Sequence, residues 1–198
     1  MTQDIYLALV ALAVGTLFTP GPNNAMLAAS GATFGFRRTL PHMLGVAIGF
    51  PLMLLIVGLA LGELFKASAL LREGLRWGGA ALLLWIAWKI ATADPADPGQ
   101  KSLRPMRFAE AAAFQWINPK AWSMAVAATS QFILPEDPFA TASIVAGTFL
   151  SFGLLSSATW NGAGQMIAGL LTSQSRRRVF NLVMAGLIVA STAQLVAH

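Results

Sequence analysis

Thr19-Pro20-Gly21-Pro22-Asn23-Asn24 lies inside the first apolar run of this chain, and Asn118-Pro119-Lys120-Ala121 lies inside another. Proline removes a backbone donor and its ring collides with the preceding turn, so Pro20 and Pro22 around Gly21 predict a helix that is broken. Pro119 predicts a second break. The two prolines Pro20 and Pro119 are 99 residues apart, half of the 198-residue chain. Each interruption therefore occupies the same place in its own half.

Around these breaks the chain is too apolar for an ordinary soluble domain. Hydrophobic residues make up 56% and charged residues 11%, against roughly 25% charged in a typical soluble domain. A spanning helix needs about 20 apolar residues, so 198 residues hold about six spans and no separate soluble domain. Six segments satisfy this: Ile5 to Ser30, Leu40 to Leu64, Leu70 to Ala91, Phe108 to Leu134, Phe139 to Ile167 and Val179 to Val196. The N-terminal run has no basic region ahead of Ile5, which argues for a first span over a cleaved signal. The expected architecture is an all-α membrane protein, a single transmembrane domain over 1–198. Its halves, about 1–93 and 106–198, flank the proline-rich linker 94–105.

The formal charge of +5 does not point to nucleic acid, because the basic residues sit in short groups between apolar runs. With the N-terminus outside, the inner loops carry Arg37, Arg38, Lys89, Lys101, Arg104, Arg107, Arg176, Arg177 and Arg178, and the outer loops only Lys66, Arg72 and Arg76. Nine against three places both termini outside an inner membrane. Three spans per half make the second half enter from the opposite side, an inverted-topology repeat. The shift of 99 carries Arg37 and Arg38 onto Glu136 and Asp137, a basic inner loop onto an acidic outer one. Interrupted helices at corresponding places in inverted halves point to the substrate site of a carrier, and half-helix N-termini there suit a carboxylate.

The Thr19-to-Asn23 run, the glycines Gly31, Gly35, Gly45 and Gly49, and Phe108 with the stretch Phe114-Gln115-Trp116-Ile117-Asn118-Pro119-Lys120-Ala121 together resemble the LysE/RhtB family of amino-acid exporters. The resemblance covers essentially the whole chain. It implies export of amino acids or their derivatives from the cytoplasm, driven by the proton gradient. The fourth span departs from the family's commonest pattern in carrying Ala112 and Ala113 where a glycine is frequent.

Candidate site residues follow from the breaks. Thr19, Pro20, Gly21, Pro22 and Pro119 form them. Lys120 is the one formal charge placed deep in a span, where burial makes an ionisable residue a functional candidate. Its ammonium, or the adjacent helix end, is expected to face a substrate carboxylate; the alternative is that it ties the broken helix together through backbone carbonyls. Asn23, Asn24 and Asn118 supply donors and acceptors for an α-amino or α-carboxyl group, or cap the broken ends. Gln115 and Trp116 precede the second break, Trp116 as pocket wall or as packing. Asn161 and Gln165, spaced i and i+4, line the path or join helices. His42, which titrates near neutrality, is the proton-coupling candidate. The core otherwise lacks carboxylates, which disfavours a cationic cargo and favours a neutral one. Gly45/Gly49, Gly58/Gly62 and Gly74/Gly78 suit close helix packing, a rocking interface or a homodimer contact.

Other classes fare worse. There is no HExxH or GxSxG motif, and His42 and His198 are far apart, so neither an enzyme nor a bound metal or cofactor is expected. Cysteine is absent, which removes thiol-disulfide chemistry. The expected partners are a small amino acid, the proton and the lipid bilayer. Export of another small metabolite, a passive channel or a structural membrane subunit are the alternatives.

Overall fold

The computed structural model describes residues 1–61, 68–92 and 104–197. Most of the linker 94–105 lies outside the described residues, as do Gly62, Lys66, Lys101 and His198. The described chain is helical throughout: α1 Gln3–Phe18, α2 Pro22–Phe34, α3 Phe36–Ile56 with a π-turn Val57–Leu61, α4 Ala69–Ala91, α5 Phe108–Phe114 with a 3-10 turn Gln115–Ile117, α6 Pro119–Phe132, α7 Pro138–Ala168 and α8 Gln174–Ala197.

Three of these helices start on a proline, Pro22, Pro119 and Pro138, where the missing N–H has no intrahelical partner to lose. Asn118 and Asp137 cap the second and third of them, accepting from the backbone N–H of Lys120 and Ala140. The turn between α2 and α3 is made by one residue, Gly35, at φ +81°, a left-handed conformation that glycine adopts without a Cβ clash. Because α3 begins at Phe36, Arg37 and Arg38 lie in its first turn rather than in the loop expected from the sequence. Arg104 pairs with Glu110 ahead of the second break, and Glu110 also accepts from the Arg107 N–H at 2.8 Å, closing the start of α5.

Helix α3, extended through Ala60, and α7 are each long and apolar enough to cross a membrane, and α1 with α2 would form one further span bent by 52°. Large apolar side chains such as Trp77, Trp85, Trp88, Leu155 and Met166 are exposed on the outside, as expected of a surface solvated by lipid. Inside, α3 and α7 pack on each other, with Phe50 edge-on to Phe149 at 5.5 Å. The broken pairs α1–α2 and α5–α6 flank them, and α4 packs on α8 through Leu83, Ala87, Met184, Ala185 and Ile188.

Small residues set the close approaches. A Cβ on Gly45 would lie 2.4 Å from the Phe108 carbonyl, and one on Gly49 2.6 Å from the Ala112 Cα, so α3 lies against the backbone of α5. Ala112 thus meets a glycine on the facing helix. On the other side a Cβ on Gly31 would lie 2.2 Å from the Asn161 carbonyl, and one on Gly164 2.0 Å from that of Ala28, so α2 and α7 touch backbone to backbone. Among the described residues no other element comes within 4 Å of a Cβ added to Gly74 or Gly78.

Candidate functional site

A helix that stops inside a membrane leaves carbonyls that need donors. At the end of α1 four carbonyls are supplied, those of Thr16, Leu17, Thr19 and Pro20. The Thr16 carbonyl accepts from Thr19 Oγ1 at 2.8 Å. The Leu17 carbonyl accepts from Asn24 Nδ2 and from Ser156 Oγ, both at 2.8 Å. Asn24 Nδ2 also donates to the Thr19 carbonyl at 2.9 Å. Lys120 Nζ completes the set, donating to the Thr19 carbonyl at 3.2 Å, to Thr19 Oγ1 at 3.0 Å and to the Pro20 carbonyl at 3.4 Å. The Pro20 carbonyl has a second donor, Ser191 Oγ of α8, at 3.3 Å.

The two breaks are therefore bonded to each other. Lys120, one residue after Pro119, reaches across to the end of α1 and passes over Gly21, where a Cβ would come within 2.8 Å of its Nζ. A second link is an amide pair: Asn23 Nδ2 donates to Gln115 Oε1 at 2.9 Å, and Gln115 Nε2 donates back to Asn23 Oδ1 at 3.3 Å. Gln115 is fully buried and also donates to the Ala111 carbonyl. No side chain caps the first turn of α2, so that positive helix end is left open beside the pair.

A cavity of about 40 Å³ lies between the breaks. Its polar lining comes from Thr16, Asn23, Asn24, Gln115, Asn118, Lys120, Ser156 and Ser157, and its apolar lining includes Val46, Phe50, Met124 and Phe149. Among the described residues Lys120 is the one charged side chain in this lining, with no Asp, Glu or Arg beside it. The volume holds a few waters at roughly 10–15 Å³ each and is far below the ~300 Å³ of small-molecule sites.

Of the residues singled out by sequence, Gly21, Asn23, Asn24, Gln115, Asn118 and Lys120 border the cavity, while Thr19, Pro20, Pro22 and Pro119 form the backbone beside it. Trp116 turns away and packs edge-on against Trp122 at 6.0 Å, its carbonyl accepting from the Trp122 indole. Asn161 and Gln165 sit at the α2–α3 turn: Asn161 donates to the Phe36 carbonyl at 3.2 Å, and Gln165 Oε1 accepts from the Phe36 N–H. His42 is buried in α3, its Nδ1 lacks a hydrogen-bond partner among the described residues, and it does not border the cavity. Among the described residues no three His, Asp or Glu side chains gather to hold a metal.

Sequence reasoning missed three features. Ser156 and Ser157 line the cavity from α7; a serine pair in the middle of an apolar run was the available signal. Pro51, inside α3, has no N–H for the Ala47 carbonyl, and both residues border the cavity. A proline at mid-span marks such a freed acceptor. Phe50 and Phe149 give no signal of their own, since aromatic residues in a span are usually packing.

A family model described as LysE type translocator matches residues 14–198. The chain is 31% identical over its full length, and over the full length of the relative, to a cysteine/O-acetylserine efflux protein of Klebsiella pneumoniae. It is 30% identical to proteins of the same description in Escherichia coli K12 and Shigella sonnei, over 96% of each chain. No solved structure matches it. With its apolar helices and twice-broken core, the chain belongs to the LysE-type translocator family and is a membrane transporter, not an enzyme.

Proposed function

We propose that this protein exports small neutral amino acids from the cytoplasm across the inner membrane, carrying them through the cavity between its two broken helices. The observation that carries the reading is that cavity: both breaks border it, one cation and no carboxylate line it, and its remaining wall is amides, hydroxyls and apolar side chains. A zwitterion suits this set. Its carboxylate faces the uncapped start of α2 and the Lys120 side of the cavity, and its α-ammonium faces the carbonyl end of α1. A cationic side chain would find no counter-ion. Relatives described as exporting cysteine and O-acetylserine, both small and neutral, support the same class.

Six spans in two inverted repeats complete the proposal, with both termini outside. The 99-residue offset supports it, as do the helix pairings: α3 packs on α7 and α4 on α8, while the contacts α3–α5 and α2–α8 have counterparts in α7–α1 and α6–α4. The distribution of Lys and Arg supports the orientation. Exchange of the two halves would open the cavity to either side in turn, coupled to inward proton movement through His42.

Counterflow in proteoliposomes tests this reading. Vesicles preloaded with each of a panel of amino acids are given a labelled external pool, with and without a pH gradient. Saturable exchange of a small neutral amino acid, accelerated by the gradient, is expected. Exchange restricted to cationic or acidic amino acids would refute the cargo class.

A further inference from the structure

The group that holds the end of α1 is a primary ammonium, the same chemical group that a primary α-amino acid carries. Lys120 Nζ sits among three oxygens, Thr19 O, Thr19 Oγ1 and Pro20 O, at 3.0–3.4 Å. This cup lies at the negative end of a helix dipole. Both carbonyls have a second donor, Asn24 Nδ2 for Thr19 and Ser191 Oγ for Pro20, so Lys120 can leave without orphaning either. Gly21 keeps the way open, since a side chain there would collide with the Lys120 stem. With no Asp, Glu or Arg in the lining, an ammonium displaced from the cup finds no protein counter-ion beside it.

From this geometry we infer that Lys120 is a tethered stand-in for the cargo's α-ammonium and thereby sets the carrier's selectivity for zwitterions. In the empty carrier it fills the cup. A bound amino acid places its own ammonium on the Thr19 and Pro20 carbonyls, and the displaced Lys120 pairs with the cargo's carboxylate. The exchange leaves the net charge of the occupied site unchanged from that of the empty one. A plain amine cannot make it, because displacing Lys120 would leave two cations at the site with no anion to pair with either. A carboxylate without an ammonium cannot make it either, because nothing refills the cup. The inference rests on the cargo reading above and adds to it the reason that both charged groups are required.

The test is competition in the same counterflow assay. In the wild type, ethylammonium and the carboxamide of the transported amino acid, both lacking the carboxylate, compete more weakly than the amino acid by on the order of a hundredfold, the penalty for one charge left unpaired within a membrane. The N-acetyl derivative is equally ineffective. In Lys120→Met, which keeps length without charge, ethylammonium gains and the gap to the amino acid closes to within about tenfold; Lys120→Arg keeps the wild-type gap. Wild-type competition by the carboxamide equal to that of the parent amino acid overturns the inference, and needs no variant to fold. So does an unchanged gap in a Lys120→Met protein that still exchanges the amino acid. A wild type that exchanges no neutral amino acid would instead refute the cargo reading on which the inference stands.

Discussion

Replacing Gly164 by alanine separates the packing account from simple helix propensity. In α7 the added Cβ would sit 2.0 Å from the Ala28 carbonyl oxygen and 2.8 Å from its carbon. The obstacle is backbone, so no side chain can rotate away, and α2 has to move off α7. Overpacking of a well-fitted contact costs about 1–3 kcal/mol, and a backbone obstacle places this change at the upper end. For a chain of this size, about 3 kcal/mol corresponds to roughly 6–12 °C in Tm. Gly147, on the same helix, is the control: nothing lies within 4 Å of its added Cβ, so Gly147→Ala gains helix propensity, up to ~1 kcal/mol. Heating the purified variants in detergent and measuring the fraction that stays monodisperse reads both effects. Equal stability of Gly164→Ala and Gly147→Ala would refute the backbone-to-backbone contact between α2 and α7.

Asn24→Ala removes the shared donor of the Leu17 and Thr19 carbonyls, which keep Ser156 and Lys120 respectively; a loss of about 1–3 kcal/mol in stability is expected, measured by the same melting, and a neutral result would mean that the capping bonds do not hold the break. Asn23→Leu and Gln115→Leu, alone and combined, should show a coupling of about 0.5–3 kcal/mol in a double-mutant cycle, while strict additivity would deny the amide link between the two broken helices. His42→Gln is expected to leave counterflow at symmetric pH intact and abolish its acceleration by a pH gradient; full acceleration in the variant would remove His42 from the proton path.

The breaks were the legible part of this protein because proline and glycine act locally: Pro20 follows the end of α1, and Pro22 and Pro119 each open the next helix, as a residue without an N–H can. The polar residues beside them were legible for the same reason, and Asn24, Asn118 and Lys120 do bond to the broken ends. Sequence could not say to which end each would reach. Lys120 bonds not to its own helix but to α1, more than a hundred positions away by chain, and that depends on tertiary packing. The direction of Trp116 and the placement of Asn161 and Gln165 depend on how each helix is rotated about its axis, about 100° per residue, which an all-round apolar helix does not record. Ser156 and Ser157 were overlooked for that reason, although they stand in plain view as a polar pair in an apolar run.

In the proposed function the cavity between the two breaks holds the cargo and opens alternately to both sides. The chain has no cysteine, so Ser157→Cys places one thiol on the cavity wall with no background to remove. The decisive measurement is the rate at which a membrane-impermeant thiol reagent labels this position from each face of oriented vesicles, with and without a saturating neutral amino acid that lacks a thiol. Labelling from both faces, slowed by the amino acid, is the predicted result. Labelling that is absent from both faces, or indifferent to the amino acid in protein that still transports it, would contradict the claim.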